Sequence, residues 1–189
     1  MRKPEDFRTL YVDPGEDTGW VIGRDTKLLA GGTTRMWKFF DAVWLAVGSP
    51  DDPDASILNN VAYAREGVTE AEMLGPIKRI VMEDWRLYPN KLKHLQWDQC
   101  RTARLIGGLT GIARIEDIEV VLQPAAIKDA AKAAGAEELY WRPLRINRHQ
   151  NDAVQHFTFY TQTELLGLPS PIDLMSIPGA TSRVSDEED

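Results

Sequence analysis

The chain reads as a mixed α/β domain whose sheet starts antiparallel and continues through parallel crossovers. Three observations carry that expectation. Three short strand-like segments, residues 7–13, 19–24 and 27–35, follow one another across tight turns. Two later apolar segments, 78–84 and 119–123, alternate with helical patterns, as parallel crossovers require. At 189 residues, 43% hydrophobic and 27% charged, the chain can bury one substantial core.

The elements follow in order. FRTLYVD (7–13) is a strand that runs into an acid and stops at Pro14-Gly15. GWVIGR (19–24) and KLLAGGTTR (27–35) are two more strands, joined by a turn at Asp25-Thr26. MWKFFDAVWLAV (36–47) has a helical period with Trp37, Phe40, Val43 and Trp44 on one side; Met36, Trp37 and Phe40 are expected in the core or a dimer contact. SPDDPDAS (49–56) is a loop by its Pro, Asp and Ser content, and a second helix is expected over 57–67. KRIVMED (78–84) is a strand ending in two acids.

NKLKHLQWDQCRTARLIGGLTGIARI (90–115) reads as one long helix. Its Gly107, Gly108 and Gly111 each cost about 1 kcal/mol relative to alanine, so close packing against a sheet is expected to offset them. EVVLQ (119–123) is a strand, and Pro124 is placed to open a helix reaching about residue 134, because proline suits a first helical position. The closing helix is expected from Asn147 to about Glu164, with Asn147 as cap and Gln150 as its partner. Residues 1–166 form the folded domain in this reading, and 167–189 a flexible acidic tail.

Composition narrows the function classes. No uncharged apolar run reaches the roughly eighteen residues of a membrane helix, and MRKPEDFRTL carries no apolar signal core. The single Cys100 excludes an internal disulfide and suits a reducing cytoplasm. A net charge of −7 argues against a simple nucleic-acid binder, yet the charge is uneven. Residues 164–189 hold six acids and one arginine, whereas residues 86–104 hold five Lys/Arg and one Asp.

The acids at strand ends are the chemical signal. Asp13 closes the first strand and Glu83 nearly closes the fourth, the position where sites form in open α/β sheets. On the closing helix His149, Asp152, Ala153, His156 and Tyr160 share one face by their spacing. Asp13, Glu83, Asp152 and His149 together suit a divalent metal, since Mg²⁺ prefers carboxylate oxygens. Two such ions about 3.5–4 Å apart clamp the attacking and leaving oxygens of a phosphodiester. His149 is placed either to complete a metal shell or to move a proton.

With "VDPGEDTGW" at the first strand and turn, "IVMED" at the fourth strand and "HQNDAVQH" on the closing helix, the chain resembles the RuvC-like Holliday junction resolvases of the RNase H-like nuclease fold, most of all their bacteriophage-encoded branch. The resemblance spans roughly residues 7–162. It implies an RNase H-like five-stranded mixed sheet flanked by helices, catalytic and metal-binding roles for Asp13, Glu83, His149 and Asp152, and Mg²⁺ or Mn²⁺, two ions per site. It further implies a homodimer nicking a four-way DNA junction. "QPAAIK" (123–128) resembles a segment that contributes a DNA-contacting lysine, here Lys128. In this reading Gly15 lets the chain turn without crowding Asp13, and Thr18 and Gly19 shape the hairpin.

A basic surface is expected to lead from the acids to the DNA backbone: Arg86, Lys91, Lys93, Arg101 and Arg104, joined by Arg142, Arg145 and Arg148 from the closing helix. Trp85 and Tyr88 are candidates for stacking on bases, Tyr88 the better one, against a core role for Trp85. Three other readings stand beside the junction nuclease: an RNase H-fold nuclease acting on flaps or RNA/DNA hybrid, an actin-like nucleotide-binding protein, and a catalytically dead DNA-binding module. The actin-like reading needs a second phosphate loop in a duplicated half, which the sequence lacks. The acidic tail is expected to bind a protein partner, to solubilise, or to compete with DNA for the basic groove.

Overall fold

The computed structural model describes residues 7–48, 63–64, 68–69, 75–84, 100–133 and 148–168. The strands are β1 (Arg8–Asp13), β2 (Asp17–Arg24), β3 (Lys27–Arg35), β4 (Tyr63–Ala64), β5 (Ile77–Asp84) and β6 (Glu119–Pro124). The helices are α1 (Met36–Gly48), α2 (Arg101–Ile115), α3 (Ile127–Ala133) and α4 (Arg148–Tyr160), the last continued by a π-helical turn, Thr161–Leu165. The sheet order is β4-β3-β2-β1-β5-β6. β1, β2 and β3 form an antiparallel meander, while β5 lies parallel to β1 and β6 parallel to β5. The five expected strands thus take their expected directions, and the two-residue β4 adds a short edge strand at Ala30 and Gly31 of β3.

Strand alternation divides the core. Leu10 and Val12 of β1, Trp20 and Ile22 of β2, and Ile80 and Met82 of β5 face one side, where Met36, Phe39 and Val43 of α1 and Leu105, Leu109 and Ile112 of α2 cover them. Tyr11, Val21, Leu28 and Val81 face the other, against Ala153, Val154, Phe157 and Tyr160 of α4. Each such fully buried side chain contributes about 1.5–3 kcal/mol. Tyr11 meets Phe157 edge-on with ring centroids 5.2 Å apart, which fixes α4 across β1. Among the described residues no helix is long and apolar enough to cross a membrane.

Several expectations are corrected. The helix expected over 57–67 is contradicted at Tyr63–Ala64, which pair as a strand, because the open edge of β3 supplies backbone partners that outweigh a weak helical period. Pro124 closes β6 opposite Asp84 instead of opening a helix, and α3 starts at Ile127; β6 is an edge strand, where a missing N–H is tolerated. Trp37 and Trp44 are each 50% exposed, and α1 packs instead through Met36, Phe39, Val43 and Val47. Gly108 does meet a close neighbour, but it is the Phe40 ring of α1 and not the sheet, while Gly107 and Gly111 have open space beside them among the described residues. The single helix expected over 90–115 is contradicted at Cys100, which caps α2 instead of continuing a helix, while residues 90–99, the cap Asn147 and the tail from 169 onward lie outside the described residues.

Candidate functional site

The β1–β5 register pairs Val12 with Met82, so Asp13 lies beside Glu83 at the same end of two parallel strands. Both belong to the α4 side of the sheet, by the alternation that places Tyr11 and Val81 there. The first turns of α4 supply His149 and Asp152. Gly19 makes their approach possible. It pairs with Asp13 in the β1–β2 ladder, and a Cβ on it would overlap the His149 carbonyl. A glycine is therefore required at that position by contact. Gly15 shapes the turn through its carbonyl, which accepts a 2.9 Å hydrogen bond from Thr18 Oγ1.

The structure brings the three sequence-derived acids, Asp13, Glu83 and Asp152, together with His149. His149 Nδ1 lies 3.3 Å from Asp13 Oδ2. Lys128, one residue into α3, reaches the centre of the group: its Nζ lies 2.7 Å from Asp13 Oδ1, 2.7 Å from Glu83 Oε2 and 3.1 Å from Asp152 Oδ2. Burial alone would lower the Lys128 pKa, but attraction to Asp13, then hydrogen bonds to Asp13 and Glu83, raise it above the ordinary lysine value, so it is an ammonium. Among the described residues, three carboxylates around one ammonium leave the cluster short of positive charge.

Beneath this layer lies His156, fully buried one helical turn beyond Asp152. Its Nδ1 is 2.7 Å from Gln123 Oε1, and its Nε2 is 3.9 Å from Glu83 Oε2. Desolvation, and after it the charge of Lys128, lowers its pKa to about 3, so the ring is neutral. Gln123 pairs with Glu83 across the β5–β6 ladder and carries its side chain to the same face. Sequence reasoning placed His156 on the helix face without a task and passed over Gln123. Strand alternation puts Gln123 on the face of Val121, but which residue it meets is set by the β6–β5 register, which the sequence does not show.

The remaining candidates are dispersed. Arg101 pairs with Glu16 in the β1–β2 turn, and Glu16 also accepts a 3.0 Å bond from Arg35. Arg104 lies over the Trp37 ring at 5.2 Å. Arg148 is exposed at the start of α4, beside His149. Arg86, Tyr88, Lys91, Lys93, Trp85, Arg142 and Arg145 lie outside the described residues. An apolar cavity lined by Leu10, Trp20, Phe39, Val43 and Ile77 lies under α1, on the opposite side of the sheet from the acids.

The donor set fits a divalent cation. Hard carboxylate oxygens from β1, β5 and α4 already gather on one positive charge, and the ligand atoms of Asp13, Glu83 and His156 lie within 4.8 Å of one another.

The mixed sheet, with its antiparallel meander, two parallel strands and closing helix over the acids, is an RNase H-like fold. Within that class it is the fold of RuvC. Thermus thermophilus RuvC in complex with Holliday junction substrate superimposes with a TM-score of 0.52 at 12% identity, over 83% of this chain and 94% of that one. A second Thermus thermophilus RuvC structure gives 0.50 at 12% identity, over 83% and 95%. The chain matches no protein-family model and no curated protein in sequence.

Proposed function

We propose that the chain is a divalent-metal-dependent endonuclease that nicks phosphodiesters of branched DNA, with the four-way junction as its substrate. The observation that carries this is the convergence of Asp13, Glu83 and Asp152, with His149, at one end of two parallel strands. It is supported by the fold shared with a RuvC whose structure contains a Holliday junction substrate. The finer reading is a cytoplasmic, bacteriophage-type homodimer using Mg²⁺ or Mn²⁺, two ions per site.

Asp13, Glu83 and Asp152 would hold the metal, which when bound supplies activation of water and neutralisation of phosphate charge. The chain's own residues do the rest. Asp13, nearly buried and fixed by its ladder to Gly19, is the central carboxylate. With Nδ1–H donated to Asp13 Oδ2, His149 keeps its Nε2 lone pair for proton exchange, and its 43% exposed side chain gives water access. Lys128 offsets the repulsion among the carboxylates and places a positive charge beside the scissile phosphate. Arg148 extends that charge along the DNA backbone.

The test is cleavage of labelled four-way junction, flap, linear duplex and RNA/DNA hybrid with Mg²⁺, Mn²⁺ or EDTA, beside Asp13→Asn and Glu83→Gln proteins. The expected result is metal-dependent, paired nicking of the junction, reduced at least about 1,000-fold in both variants. Equal cutting of flap and junction would replace the junction by branched DNA at large. No cleavage of any substrate by folded wild-type protein would overturn the nuclease reading.

A further inference from the structure

We infer that His156 Nε2 is a metal ligand on the inner side of the acid cluster and that, held by Gln123, it biases the site towards a nitrogen-accepting transition metal such as Mn²⁺ or Co²⁺ over Mg²⁺. The inference rests on the reading of the cluster as a metal centre and goes beyond the three carboxylates and His149.

The argument begins with Gln123. Its Oε1 is an acceptor 2.7 Å from Nδ1, so Nδ1 carries the proton and Nε2 carries the lone pair. The opposite tautomer would need a rotated Gln123 amide and an Nε2–H bond to Glu83, but the 3.9 Å separation is too long for one. Among the described residues Nε2 is buried without a hydrogen-bond partner, on a ring with no solvent exposure. Lys128 Nζ meets Glu83 Oε2 at 2.7 Å but gives no hydrogen bond to Nε2, so the Nε2 lone pair, 3.9 Å from that oxygen, is left for a cation. A ring nitrogen of His156 and one oxygen each of Asp13 and Glu83 lie within 4.8 Å of one another, a span one ion bridges, and Nε2 is the nitrogen 3.9 Å from Glu83 Oε2.

A histidine that only filled the core would have its second nitrogen satisfied, as most buried polar atoms are. Here the second nitrogen points into the acids. The Gln123 contact has the form of an outer partner that fixes a ligating imidazole, and it is set by the β5–β6 register. Imidazole nitrogen favours transition metals, whereas Mg²⁺ prefers oxygen and retains water.

The experiment uses the full chain. Pulsed EPR of bound Mn²⁺ reports nitrogen coordination directly, and calorimetry gives Mn²⁺ and Mg²⁺ affinities for wild type, His149→Gln, His156→Gln and Asp13→Asn. The expected result is a ¹⁴N signal in wild type and His149→Gln that is absent from His156→Gln. With it, Mn²⁺ affinity falls about 10–100-fold in His156→Gln while Mg²⁺ affinity changes far less. A ¹⁴N signal that is missing from wild type or persists in His156→Gln overturns the inference, and if Asp13→Asn still abolishes Mn²⁺ binding, the metal-centre reading survives. Mn²⁺ binding indifferent to Asp13→Asn overturns both. Zn²⁺ titration of ¹⁵N-histidine-labelled wild type needs no variant: a shift of the His156 Nε2 resonance supports the assignment, and a static resonance overturns it.

Discussion

His156 is a base held where taking up a proton is most costly, and that has a consequence for stability. Its pKa falls from the ordinary 6.5 to about 3 through burial and then through Lys128; Glu83 and Asp13 from the strands and Asp152 on its own helix are the other charges around it. The unfolded chain takes up a proton below about pH 6.5 that the folded chain refuses. The stability from the neutral ring is therefore complete above that pH and is lost as pH falls towards 3. From about pH 6.5 to about pH 5 the metal-free protein should lose about 2 kcal/mol at this residue. Urea titrations should show that loss in wild type and a smaller one in His156→Gln. At this scale the sequence was legible where geometry is local. Asp13 and Glu83 end strands, and His149 and Asp152 are three apart on a helix. Gln123 and the inward lone pair of His156 were not legible, because they depend on the register of β6 against β5.

Helix phase and helix contact decide the element scale. α1 has apolar residues around much of its circumference, so periodicity alone could not choose between the face of Trp37 and Trp44 and that of Met36 and Phe39. The stacked pair Trp20–Phe39, 6.4 Å between centroids, shows the face that the sheet selected. The glycines of α2 sort by what lies beside them. A Cβ on Gly108 would come within 2.6 Å of the Phe40 ring, whereas Gly107 and Gly111 meet nothing among the described residues. Gly107→Ala and Gly111→Ala should each stabilise by up to about 1 kcal/mol, and Gly108→Ala should destabilise, by chemical denaturation. Gly19 is the more consequential contact, since β2 touches the first turn of α4 there. Gly19→Ala should push His149 and Asp152 away from Asp13 and, on the proposed function, lower junction cleavage at least about 100-fold, the scale of a 1 Å misplacement. A variant with wild-type turnover would contradict that geometry.

Across the whole molecule, the strand directions were legible because three short segments with tight turns favour a meander and later strands separated by helices favour crossovers, whereas the placing of β5 beside β1 was not. The β4 edge pairing was not, since two residues leave no periodic signal. Charge at this scale yields a separate expectation. Residues 168–189 carry five acids and one arginine, so their removal takes the net charge from −7 to −3. A chain ending at 167 should bind junction DNA several-fold more tightly at low salt, with the difference shrinking as salt rises; unchanged affinity across a salt series would exclude competition by the tail. The long-range contacts of Lys128 have a further consequence in biosynthesis. Its partner Asp13 lies 115 residues earlier, and the Asp13–His149 contact spans 136. A nascent chain can form the β1–β3 meander early, but it lacks a complete acid cluster until α4 has left the ribosome and closed over the sheet. An interrupted translation product ending before residue 148 would carry Asp13 and Glu83 without their helix partners. The complete cluster is thereby withheld from any fragment that lacks α4.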